Sequence, residues 1–152
     1  MRWRAVLDAG IAAAIASTLV EVVAWLAFAA DPAGRFDRDI RFAAALAMGP
    51  GVLASAEPVA AAILLAATGV HLALSLAYAA ALSSLVAAWR GQRAIAVGAV
   101  FGVALYLINM HAMTHFFPWF AADRDAVTAA AHVVFGVVAA AVYRRRALQA
   151  PG

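Results

Sequence analysis

The chain has 152 residues, a formal net charge of +3, 67% hydrophobic and 12% charged residues, and a mean hydropathy of +0.92. A water-soluble fold of this length has nowhere to bury so much apolar surface, since soluble domains carry about 45–50% apolar and 25% charged residues. A soluble enzyme, a disordered tail and a nucleic-acid-binding module are therefore excluded. The absence of cysteine also excludes disulfides, thiolate metal sites and iron–sulfur clusters. The reading that remains is an integral membrane protein.

Arg4 and Asp31 bracket the first apolar run, Ala5 to Ala30. As a helix it reaches ~39 Å, beyond the ~30 Å hydrocarbon core. Arg2, Arg4 and Ala27-Phe28-Ala29 have the flavour of a signal peptide, but the run is too long for one and contains Glu21, so it reads as a span. The next stretch, Phe42 to Trp89, would make a helix of ~72 Å and must break. The breaks fall at Gly49-Pro50-Gly51 and at Ser55-Ala56-Glu57-Pro58, where Ser55 reads as an N-cap. This predicts a short interfacial or re-entrant helix over 39–48 and a second span over 58–89. The third span is expected over 94–117. The fourth is expected over 126–143, with Asp125 as N-cap, ending at Arg144-Arg145-Arg146.

The whole chain, 1–152, thus reads as one all-α membrane domain, a four-helix bundle. With four spans, one side holds Arg2, Arg4, Arg90, Arg93 and the triple arginine, and the other holds Arg35, Arg38, Arg41 and Arg124. Counting basic residues places both termini in the cytoplasm. Trp3 and Trp89 are expected at the inner interface, Trp25 and Trp119 at the outer one. The triplets Asp37-Arg38-Asp39 and Asp123-Arg124-Asp125 are each followed by three alanines at the same offset. This weak repeat would make the short helix a stunted counterpart of the fourth span.

Each span carries a stripe of small and polar residues at helical spacing, as interhelical packing in lipid favours. They are Gly10, Ala14, Ser17, Glu21; then Thr68, His71, Ser75, Tyr78; then Gly98, Gly102, Leu105, Asn109; and finally Thr128, His132, Gly136, Ala139, Tyr143. Measured from each span's midpoint, Glu21 and His132 fall ~4 Å and His71 ~3 Å toward the outer side. An ionisable side chain at such depth is costly and marks a candidate site. The candidates are Glu21, His71, His132, His111 and His115, with Tyr78, Tyr106 and Asn109 in support. The plain alternative is that the carboxyl and imidazoles serve as interhelical glue. His111 and His115 share a helix face as chelating pairs do, but that face is turned from the Gly98–Gly102–Asn109 stripe. Phe116-Phe117-Pro118-Trp119-Phe120 reads as an interfacial anchor or as the lid of a ligand site.

The segment from His111 through Phe-Phe-Pro-Trp-Phe, with Ala131-His132-Val-Val-Phe-Gly136 and Tyr143, resembles the small four-transmembrane-helix inner-membrane proteins of proteobacteria. Gly69-Val-His71 with Tyr78, and Phe101-Gly102 with Tyr106 and Asn109, extend the likeness over most of the chain. Some of that group carry the label sodium/proline symporter, but nothing here matches the larger symporter fold. The resemblance implies topology and a bacterial inner-membrane location, and it brings no activity.

Three functions compete. One is a binding or accessory protein holding a haem or divalent metal between His71, His132 and His111, because neutral imidazoles ligate without burying net charge. The second is a proton, ion or small-solute permeation protein working through Glu21 and the histidines. The third is a structural subunit of a larger membrane complex or a homo-oligomer. An enzyme is not expected, because no nucleophile–base pair or carboxylate dyad stands out. The expected partners are the lipid bilayer and other membrane proteins, not nucleic acid.

Overall fold

The computed structural model describes residues 2–54 and 58–149. The described residues fold into five α-helices joined by short helical turns, and no strand occurs among them. Four helical segments are long and apolar enough to cross a membrane, namely Trp3–Phe28, Ala61–Val86, Gln92–His115 and Ala126–Gln149. The expected all-α fold with four helices of spanning length is therefore seen among the described residues.

Helix α1 (Trp3–Phe28) runs antiparallel to α5 (Ala126–Gln149), with Asp8 paired to Arg146 at 2.8 Å and the Arg2 guanidinium donating to the Ala147 carbonyl. Both ends of the described chain therefore lie at one end of the bundle. Helix α3 (Ala61–Val86) packs on α1, and α4 (Gln92–Leu107) packs on α5, so that α5 is the central element. The expected N-cap of α5 is present: the Asp125 carboxylate accepts from the Thr128 amide at 2.9 Å, satisfying one of the donors a helix start leaves open. The corresponding expectation for Ser55 and Glu57 ahead of α3 lies outside the described residues.

Close backbone approach decides the α4–α5 contact. A Cβ on Gly98 would strike the Gly136 carbonyl, one on Gly102 the His132 carbonyl, and one on Gly136 the Gly98 carbonyl. No other residue type fits at this crossing, the arrangement that lets helices associate in lipid without a hydrophobic drive. Below it, toward the end with the termini, Ala9, Ala13, Leu82, Val86, Ala94 and Ala140 form a solid core. The small-residue stripes face inward as expected, with Gly10, Ala14, Ser17 and Ser75 all buried, but Thr68 is exposed. Trp25, expected as an interfacial anchor, is buried instead.

The helix between the first two spans differs most from expectation. It is α2 (Pro32–Met48), 17 residues long, and begins seven residues before Asp39. Asp31 is its N-cap, accepting from the Gly34 amide at 2.9 Å, and Pro32 takes the first position, where a missing amide costs nothing. The early start is stabilised by charge pairing: Arg38 donates to Asp123 at 2.5 Å, Arg35 to Asp125 at 3.2 Å, and Arg41 to Asp37 at 2.7 Å within the helix. Gly49, at φ +85°, then turns the chain into a 3₁₀ turn over Pro50–Leu53. The Val52 carbonyl of that turn accepts from the buried Arg41.

Candidate functional site

At the end opposite the termini the bundle opens into a cavity of about 440 Å³. Every long helix contributes: Ser17 and Glu21 from α1, Asp39 and Ala43 from α2, His71, Ser75 and Tyr78 from α3, Leu105 from α4, and Thr128 and His132 from α5. Asn109 lines it too, one turn after Leu105 on the same inward stripe and just beyond the regular part of α4. The ladder widens into a π turn over Ile108–Ala112 and then tightens into a 3₁₀ turn over Met113–His115, a distortion often found at functional positions. The carbonyls that such a change leaves unpaired need donors. Arg124 supplies one, its Nε donating to the Met110 carbonyl at 2.6 Å, and the Thr114 hydroxyl, which accepts from Arg124 at 2.6 Å, donates to the His111 carbonyl at 2.8 Å.

The polar wall is ordered. The Tyr78 hydroxyl donates to Asn109 Oδ1 at 2.9 Å, and Asn109 Nδ2 lies 3.3 Å from His132 Nε2. His132 Nδ1 lies 2.8 Å from the Thr128 carbonyl. A carbonyl can only accept, so Nδ1 carries the hydrogen and Nε2 accepts from Asn109, which also fixes the orientation of the amide. His71 is held more loosely, with Nε2 3.4 Å from the Thr18 hydroxyl. Both carboxyls line the cavity, and neither Glu21 nor Asp39 makes a hydrogen bond or ion pair with another described residue. Asp39 titrates at about 6, raised by burial first and then by the neighbouring Asp123, with Arg38 acting in the opposite direction. The Asp123 carboxyl is also raised by burial, against the pull of Arg38 and Arg35.

The candidates separate into two groups. Glu21, His71, His132, Tyr78 and Asn109 come together around the cavity. His111 and His115 are exposed and do not line it, despite the irregular backbone beneath them. Tyr106 does not line it either, but its ring meets His132 and His111 edge-on, with centroids at 5.9 and 5.6 Å. A site using every histidine is thus not assembled. Among the described residues no three His, Cys, Asp or Glu are grouped to hold a metal ion. Phe117 and Phe120 of the aromatic segment form part of the cavity wall, and the Trp119 indole donates to the Phe42 carbonyl of α2 at 3.2 Å.

Asp39 and Asp123 were not expected to line a site, because in sequence Asp39 reads as the start of an interfacial helix and both count only as charges of the outer side. The signal was present in the repeated Asp-Arg-Asp triplets, which stand face to face: Arg38 of the first binds Asp123 of the second, and the nearby Arg35 reaches Asp123 and Asp125. Comparisons with protein-family models, with curated proteins and with solved structures find no match for this chain.

Proposed function

We propose that the chain is a multi-pass protein of the bacterial inner membrane, with both termini in the cytoplasm, and that it serves as a binding or accessory protein. Its ligand is a small, mostly apolar molecule with a hydrogen-bond-donating or positively charged end, held in the outer half of the bilayer. The observation that carries this reading is the convergence of five helices on one cavity, where apolar walls surround a few oriented polar groups, the usual composition of a small-molecule site. The unpartnered carboxyls of Glu21 and Asp39 favour a donor or cation at the polar end.

Permeation is less well supported. Beyond Ser17 and Ser75 the path toward the termini meets Ala13, Leu82, Val86 and Ala140, all close to fully buried, and the buried Ser83 hydroxyl there is spent on the Ala80 carbonyl of its own helix at 2.7 Å. The chain Tyr78–Asn109–His132 also passes through an amide, which neither takes up nor releases a proton in the ordinary range, so it orients rather than conducts. Haem or metal ligation would require His132 to give up the Asn109 amide.

The protein in lipid nanodiscs is to be analysed by native mass spectrometry, absorption spectroscopy and elemental analysis. A small organic adduct is expected on the wild type and not on Ala43→Phe, which fills the cavity from α2. A Soret band or stoichiometric metal selects the ligation reading instead. An adduct-free wild type with stability identical to that of Ala43→Phe leaves only a structural subunit.

A further inference from the structure

A second hollow, of about 490 Å³, lies at the other end of the molecule, on the flank where α1 meets α5. Its floor and walls are Ile11, Ala12 and Ile15 of α1 and Val142 of α5, and its mouth carries Arg145, Arg146 and Asp8. Ile11 and Ile15 are 46% and 56% exposed, so this is a lipid-facing groove rather than an internal cavity. We propose that the groove is a site for a phospholipid with an anionic headgroup, its phosphate held by Arg145 and Arg146 and one acyl chain lying along Ile11, Ile15 and Val142.

Three observations favour this occupant. Charge is the first. Arg145 makes no hydrogen bond or ion pair with another described residue, whereas Arg144 beside it donates to the Ala87 carbonyl, and Arg146 binds Asp8 at 2.8 Å. The mouth therefore holds two guanidiniums and one carboxylate, a net positive site on which one cation is uncommitted. Position is the second: the arginines end an apolar helix, where their long stems lie along apolar surface while the heads reach the headgroup layer. Shape is the third. An apolar furrow leading away from paired guanidiniums matches a chain leading away from a phosphate, and arginine binds phosphate oxygens in a fixed fork. Because lipid tails are as apolar as the groove, the tail supplies fit, and selectivity rests on the headgroup.

Asp8 gives the proposal a sign. Its carboxylate competes with a phosphate for Arg146, so removing its charge frees a second guanidinium. In nanodiscs of equal parts phosphatidylglycerol and phosphatidylcholine, native mass spectrometry reads which lipid stays bound. The wild type is expected to retain phosphatidylglycerol preferentially. Arg145→Gln should reduce that preference about fivefold, as expected for one basic residue at a charged surface, and Asp8→Asn should increase it. Ile15→Trp should lower retention of both lipids, and Arg93→Gln, at the same end on another helix, should change nothing. Equal retention of the two lipids by the wild type, or a preference that Arg145→Gln and Arg93→Gln lower alike, would overturn the site. So would a preference that falls in Asp8→Asn.

Discussion

The two ends of this bundle are built by different rules. The end bearing the termini is closed by contact: Gly98, Gly102 and Gly136 bring backbones together, and alanines fill the space below them. The opposite end is held open by charge. There α2, the Pro118–Asp123 turn and the start of α5 are joined by Arg35, Arg38, Asp123 and Asp125 around a cavity. In lipid, small-residue packing leaves no room for a ligand, while ion pairs at the rim can support a hollow that packing would fill. One chain thereby combines an open end that holds a cavity with a tightly packed end.

The sharpest way to break the contrast is to add the same side chain at both ends. Gly136→Leu forces its side chain against the Gly98 carbonyl and should destabilise the bundle by about 3 kcal/mol, at the high end for overpacking. Gly69→Leu, where an added Cβ meets no described atom within 4 Å, should stay within about 0.5 kcal/mol. Unfolding in mixed micelles by denaturing detergent measures both. Equal losses would mean that the closed end is not defined by backbone approach.

Next in size is the ionic rim. Arg38→Ala leaves Asp123, only 7% exposed, with Arg35 at 3.7 Å as its remaining partner, and it also removes the Arg38 guanidinium from over the Phe42 ring. A buried carboxylate losing its charged hydrogen bond costs about 2 kcal/mol. The loss should be local, so hydrogen exchange in α2 should accelerate while the Gly98–Gly136 region stays protected. Combining Arg38→Ala with Asp123→Ala should recover part of the loss, as coupled partners do. Acceleration spread evenly over the molecule would contradict a separately held outer layer.

Acidity offers a third test of the rim. The Asp39 carboxyl titrates at about 6 in the folded protein against an ordinary 3.8, so the folded state holds this proton more tightly than the unfolded chain does. The resulting stability is fully present below the ordinary value and is lost as pH rises through about 6. Wild-type stability should accordingly fall by about 2 kcal/mol between pH 4 and pH 7 relative to Asp39→Asn. The charges facing Asp39 are Asp123 and Arg38, together with Glu21 across the cavity. Parallel pH profiles for the two proteins would place Asp39 in water rather than at the cavity.

Much of the closed end was legible in the sequence, because its rule is periodic. Gly98, Gly102 and Gly136, the buried alanines such as Ala9 and Ala13, and the four apolar runs recur at helical spacing, and they pack as that spacing implies. The convergence of Glu21, His71 and His132 was legible too, from depth along each span. The rim was not. Its ion pairs join residues 85 and 90 positions apart, which no local pattern encodes, so α2 was expected to begin at Asp39 and not at Pro32. The outward turn of His111 and His115 follows from the face they occupy. The π turn after α4 was not legible either, and Arg124, which donates to its Met110 carbonyl, counted in sequence only as a topological charge.

The smallest expected effect lies on the boundary between the two ends. Tyr78 is half-buried on α3, with its ring edge-on to Phe135 at 6.4 Å and its hydroxyl donating to Asn109. Tyr78→Phe keeps the ring packing and deletes one intramembrane hydrogen bond, worth about 0.6 kcal/mol on average in such bundles. The chemical consequence is more informative than the energetic one. His132 Nδ1 stays committed to the Thr128 carbonyl, so its tautomer should not change, but Asn109 loses the donor that fixes its amide. Nitrogen-15 NMR of labelled histidine should therefore show the Nδ1–H form of His132 in both proteins, with Nε2 shifted toward a weaker hydrogen bond in Tyr78→Phe. A change of tautomer would mean that the Thr128 carbonyl does not hold the ring and that Tyr78 and Asn109 set it from the cavity side.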